Sequence, residues 1–143
     1  MPRQSSTIPN PEHRTAATVL VVEDEALLRV SLVDILRDEG FGVVEAASAH
    51  EAITILQTTT PVDIVMTDVR MPGTIDGVGL ALFIRAHRPA LKIIMTSGNL
   101  VASPVGCPVD RFIRKPYGAT DVVRLIRSLS EHGETQVRRC DER

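Results

Sequence analysis

Apolar runs and apolar stripes alternate along the chain. Residues 19–22 (VLVV) are wholly apolar, the mark of a strand buried on both faces of a parallel sheet. Behind them Leu28, Leu32, Ile35 and Leu36 fall at i, i+4, i+7 and i+8, one face of a helix, and Gly40 supplies its stop. Residues 41–47 (FGVVEAA) predict a second, weaker strand. Ser48 and Glu51 form a Ser-x-x-Glu capping box that opens a helix through Ile53, Ile55 and Leu56, and residues 58–61 (TTTP) end it. The third strand is residues 63–68. The third helix is residues 77–87, with Leu80 and Ile84 on one face and Pro89 closing it. Residues 91–97 (LKIIMTS) predict a fourth strand and residues 111–114 a fifth. A last helix starts near Thr120, with Val122, Leu125, Ile126 and Leu129 at i, i+3, i+4 and i+7.

Strands and helices thus alternate at the length of one βα unit, which predicts an α/β, doubly wound parallel sheet with helices on both faces. Ligands of such sheets sit at the carboxyl ends of the strands, near the topological switch point. The segment between the fourth and fifth strands breaks the rhythm. Pro104, Gly106 and Pro108 interrupt any helix longer than about one turn. Residues 1–17 and 132–143 are polar and read as flexible tails around a domain at 18–131.

Composition narrows the function. A length of 143 residues suits one domain, and 43% apolar with 24% charged residues is ordinary for a globular protein. A formal charge of −2, no Trp, one Tyr and three Phe argue against nucleic acid as a partner. Cys107 and Cys140 stand in no metal-ligand pattern and read as free thiols of a reducing compartment. The N-terminal stretch has no signal-peptide core, and no apolar run is long enough to span a membrane, so a cytoplasmic location is expected.

The chemistry lies where the strands end. Glu23 and Asp24 follow the first strand, Asp68 ends the third, Thr96 and Ser97 end the fourth, and Lys115 follows the fifth. A parallel sheet brings them all to one edge. Three carboxylates held together repel, and a divalent cation relieves the repulsion. An oxygen-only set without His or Cys selects a hard ion, Mg²⁺ or, as the alternative, Mn²⁺. Such an ion favours phosphate oxygens. With Lys115 it would neutralise a phosphoryl group, Ser97 would donate a hydroxyl to it, and Asp68 would be the nucleophile that forms an aspartyl phosphate.

The motifs VLVVEDE, DIVMTDVRMPG followed by DG, IIMTSG and FIRKPY, in that order, resemble the receiver domain of two-component response regulators. The resemblance covers residues 19–129. It implies a flavodoxin-like fold with strand order 2-1-3-4-5. It implies that Asp68 takes its phosphate from a sensor histidine kinase or a histidine phosphotransfer protein. Asp24 would bind Mg²⁺ directly, Glu23 through water, and the backbone carbonyl of Arg70 would complete the coordination. Lys115 would contact the phosphate across a cis bond to Pro116, and Phe112 stands where the family keeps its switch aromatic. Ser97, followed by small Gly98, fits the signalling hydroxyl; Thr96 is the runner-up.

Against the family pattern, the stretch from Pro72 to Gly77 is one residue longer than usual. The resemblance implies that Arg70 and Asn99 occupy positions whose side chains would tune phosphate lifetime. A shortened or irregular fourth helix is expected at residues 99–110. The expected function is a single-domain phosphoacceptor that signals to an unknown downstream protein by a phosphorylation-dependent switch or a phosphorelay. It would be no enzyme beyond slow autodephosphorylation. The alternative is a receiver-like interaction scaffold that is not phosphorylated. An aspartyl-phosphate hydrolase is disfavoured, because the second Asp that such enzymes need two residues on is Arg70 here.

Overall fold

The computed structural model describes residues 17–98 and 108–131. Residues 1–16 and 132–143 of the two tails, both cysteines, Asn99 and all but residues 108–110 of the expected irregular helix lie outside the described residues. The element order is β1 (Thr18–Val22), α1 (Ala26–Asp38), β2 (Gly42–Ala46), α2 (Ala49–Leu56), β3 (Ile64–Asp68), α3 (Gly77–His87), β4 (Lys92–Ser97), β5 (Arg111–Arg114) and α4 (Ala119–Glu131). All strand pairs are parallel, and the sheet order is β2-β1-β3-β4-β5.

Strand alternation sorts the core into two layers. Leu20, Val22, Val65, Ile93 and Met95 face one side, where α2 and α3 add Ala49, Ala52, Leu56, Leu80, Ala81 and Ile84. Val19, Val21, Ile64, Met66 and Ile94 face the other, where α1 and α4 add Leu32, Val33, Leu36, Val122, Ile126 and Leu129. Each large side chain so buried contributes roughly 1.5–3 kcal/mol. The three central strands are therefore a rigid mount for whatever stands at their ends.

Local chemistry sets the boundaries. α1 ends in a Schellman turn: Gly40 takes φ +96°, its N–H donates to Arg37 O, and the Phe41 N–H reaches Leu36 O at 3.1 Å. The capping box at α2 forms, with Ser48 Oγ accepting from the Glu51 N–H at 3.1 Å. The Glu51 carboxylate reaches back to the Ala47 N–H, one residue before the cap. Asp76, not singled out by periodicity, caps α3 by accepting from the Gly79 N–H at 3.0 Å. One expected core position is out of place. Leu28 is 39% exposed, because the first turn of α1 overhangs the end of the sheet, and Val33 joins Leu32 and Leu36 inside instead.

Candidate functional site

Glu23 and Asp24 leave β1, and Asp68 is the last residue of β3, its neighbour in the sheet. Each of the three offers a carboxylate oxygen, and these oxygens lie within 4.8 Å of one another. Lys115, just past β5, reaches across the edge. Its Nζ donates to Asp68 Oδ2 at 2.9 Å and to Glu23 Oε1 at 3.1 Å. Its backbone N–H donates to Ser97 O at 2.8 Å, and the Lys115–Pro116 peptide is cis. Burial alone would lower the Lys115 pKa. The hydrogen bonds and charges of Asp68 and Glu23 outweigh it, and the net direction is up.

The two acids of the β1 turn differ. Glu23 is buried, and its polar atoms are engaged on every side: N–H to Ala46 O, Oε1 to Lys115, Oε2 to the Glu25 N–H at 3.1 Å, and O to Arg29 Nη1 at 2.7 Å. Asp24 is exposed, and among the described residues its carboxylate makes no hydrogen bond or salt bridge. One ammonium is thus shared by two of the three clustered carboxylates, and the Asp24 carboxylate is left open. That donor set, all oxygen and excess negative charge, fits a hard divalent cation.

Ser97 and Thr96 are both buried at the end of β4. Pairing with β5 separates them: Met95 is opposite Phe112 and Thr96 is opposite Ile113. Alternation therefore puts Ser97 on the face of Met95 and Phe112, and Thr96 on the face of Ile94 and Ile113. Phe112 is half-buried against the α2–α3 layer. Arg70 is exposed, and among the described residues its side chain has no ion-pair partner.

Three features of the site were not read from the sequence. Gly77 opens α3 directly under Asp68. A Cβ there would stand 1.9 Å from the Asp68 carbonyl oxygen, so only glycine permits this approach. Arg29 grips the β1 turn. Tyr117 lines a shallow hollow of about 390 Å³ with Leu28, Gly98, Lys115 and Pro116. Burial pushes its phenol pKa up; Lys115 pulls it down and the Glu23 and Asp68 charges add to the rise, leaving it raised. A Gly that opens one helix and an Arg in the first turn of another are visible in sequence, but the atoms they meet are not.

Residues 19–127 match the family of the response regulator receiver domain, and the chain belongs to it. The transcriptional regulatory protein PdtaR of Mycobacterium tuberculosis is 34% identical over 112 residues, which are 76% of this chain and 54% of PdtaR. The sensor kinase CckA of Brucella abortus is 36% identical over 121 residues, 81% of this chain and 13% of the kinase. The chain thus spans about half of the first relative and a small part of the second. Among solved structures, a CheY-like receiver domain protein of Methanospirillum hungatei superposes with a TM-score of 0.75 at 26% identity, covering 83% of this chain and 97% of that one. TrrA of Thermotoga maritima, solved in complex with Mg²⁺-BeF, gives 0.73 at 26% identity, covering 79% and 98%. Among the described residues no helix is long and apolar enough to cross a membrane.

Proposed function

We propose that this receiver domain accepts a phosphoryl group on Asp68 from a phosphohistidine, in a Mg²⁺-dependent reaction, and signals by the change of conformation that follows. The observation that carries the reading is the joint hold of Lys115 on Asp68 and Glu23, beside an Asp24 left free for a cation. The fit of that donor set to a hard ion supports it, as does the Mg²⁺-BeF complex of TrrA.

Glu23, Asp24, Asp68 and the Arg70 carbonyl would hold the ion. When bound it supplies positive charge to the phosphoryl oxygens. The rest is the work of the chain. An Asp68 Oδ attacks phosphorus; the P–O bond forms as the P–N bond to the donor imidazole breaks, and the imidazole keeps the electron pair and takes up a proton. Lys115 then turns its N–H donors from the carboxylates to a phosphoryl oxygen. Ser97 donates its hydroxyl to another, which draws the end of β4 toward Asp68. Phe112 shares that face, so the motion passes to β5 and the surface beyond it. The donor would be a sensor histidine kinase or a histidine phosphotransfer protein, and the receiving partner a further protein. The exposed guanidinium of Arg70 would tune how long the aspartyl phosphate lasts, together with Asn99.

Beryllofluoride, a tetrahedral mimic of a phosphoryl group, tests the site without a kinase. Fluorine NMR should show a bound signal only when Mg²⁺ is present, and none for Asp68→Asn. Binding without Mg²⁺, or undiminished binding to Asp68→Asn, would contradict the proposal.

A further inference from the structure

Arg29 lies in the first turns of α1 with its side chain 19% exposed, and it joins three elements. Its Nη1 donates to the Glu23 carbonyl at 2.7 Å, and its Nε pairs with Glu45 Oε1 at 3.2 Å. Glu45 stands on β2 opposite Val21 of β1. The backbone N–H of Arg29 donates to Glu25 O at 2.9 Å.

The Glu23 carbonyl belongs to the same rigid peptide plane as the Asp24 N–H. Fixing that oxygen fixes the plane from which Asp24 departs. The peptide after Asp24 is held as well, because the Glu25 N–H donates to Glu23 Oε2. Asp24 itself has no side-chain hydrogen bond among the described residues, so its aim depends on the backbone on either side. A planar guanidinium that forks between a carbonyl and the carboxylate of a residue held in the neighbouring strand suits this task, and an ammonium reaches only one of the two in fixed geometry.

We propose that Arg29 is a positioning residue for divalent-cation capture: by clamping the Glu23–Asp24 peptide to Glu45, it holds the Asp24 carboxylate in place to receive the ion. This rests on the reading of the acidic cluster as a cation site. The inference has an unusual sign. Arg29 is a cation near the cluster, so Coulomb's law alone makes its removal tighten Mg²⁺ binding. Positioning predicts that removal weakens it.

The test is Mg²⁺ binding by calorimetry on wild type, Arg29→Ala and Arg29→Lys, with thermal unfolding without Mg²⁺ as the measure of fold. Arg29→Ala is expected to weaken Mg²⁺ affinity about tenfold, in the range of lost supporting contacts around a metal. Arg29→Lys keeps the charge and should fall between that variant and wild type. An Arg29→Ala protein that binds Mg²⁺ as well as wild type or better, even with a lowered Tm, overturns the inference alone. If Arg29→Ala does not fold, Arg29→Lys decides, and affinity equal to wild type overturns the inference. A wild type that takes up no Mg²⁺ overturns the cation-site reading together with it.

Discussion

Lys115 Nζ stands 2.9 Å from Asp68 Oδ2, joining residues 47 positions apart in sequence across the end of the sheet. The same ammonium holds Glu23, so one cation compensates two of three neighbouring carboxylates. Removing it leaves the cluster with unrelieved repulsion. Lys115→Met is expected to lower stability by roughly 1–3 kcal/mol, between the surface and buried limits for an ion pair. Added Mg²⁺ should recover much of that loss, because the ion then has more negative charge to itself. Chemical denaturation with and without Mg²⁺ checks both effects; a loss that Mg²⁺ does not lessen would speak against a shared site.

Gly77 meets the Asp68 backbone too closely for any side chain. Gly77→Ala must push α3 away from β3 or tilt the Asp68 peptide. The expected cost is about 2–3 kcal/mol or more, typical of overpacking against backbone. Mg²⁺ affinity should fall with it, since the Asp68 carboxylate shares that backbone. An alanine tolerated without change in either quantity would show that the loop yields easily.

Asp110 is buried far from the acidic edge in chemical role. Its Oδ2 accepts from the Ile93 N–H and from Arg85 Nη2, both at 2.7 Å. Arg85 also donates to the carbonyls of Pro108, Pro89 and Leu91, so the pair ties α3 to the entries of β4 and β5. Asp110→Ala strands a buried N–H and a partly buried guanidinium, and should destabilise by about 3–5 kcal/mol. Where the variant is folded, phosphorylation of Asp68 should persist. Loss of the phosphate adduct in a folded Asp110→Ala protein would place Asp110 in the chemistry.

Tyr117 is the single tyrosine of the chain, so its phenolate absorbance reports one site. Burial chiefly raises its pKa above the ordinary 10.0. A group whose folded pKa is raised binds its proton more tightly in the fold. Its contribution to stability is whole below pH 10.0 and is lost as pH rises through the folded value. The phenol should therefore titrate above 10.0 in the native protein and return to about that value in urea. A native midpoint at or below the unfolded one would mean that Lys115 outweighs burial.

Much of the fold was legible because its signals are local. The apolar runs of β1, β3 and β4, the stripes of the helices, the capping box at Ser48 and the stop at Gly40 each act within a few residues. The strand-end acids and Lys115 were legible as a group because a parallel sheet has only one carboxyl edge. Leu28 misled, since periodicity gives the face of a helix but not where that helix overruns the sheet. Arg29 with Glu45 and Arg85 with Asp110 were not legible, their partners lying 16 and 25 residues away on other elements. Ser97 was favoured over Thr96 from the small Gly98 that follows it, and the β4–β5 register adds only that Ser97 lies on the same face as Phe112.

The most direct test of phosphoryl acceptance at Asp68 is intact mass after incubation with a small acyl-phosphate donor. Wild type with Mg²⁺ should gain the mass of one phosphoryl group, and should gain none without Mg²⁺ or as Asp68→Asn. A wild type that stays unmodified with Mg²⁺, or an Asp68→Asn protein modified as fully as wild type, would contradict phosphorylation at this residue.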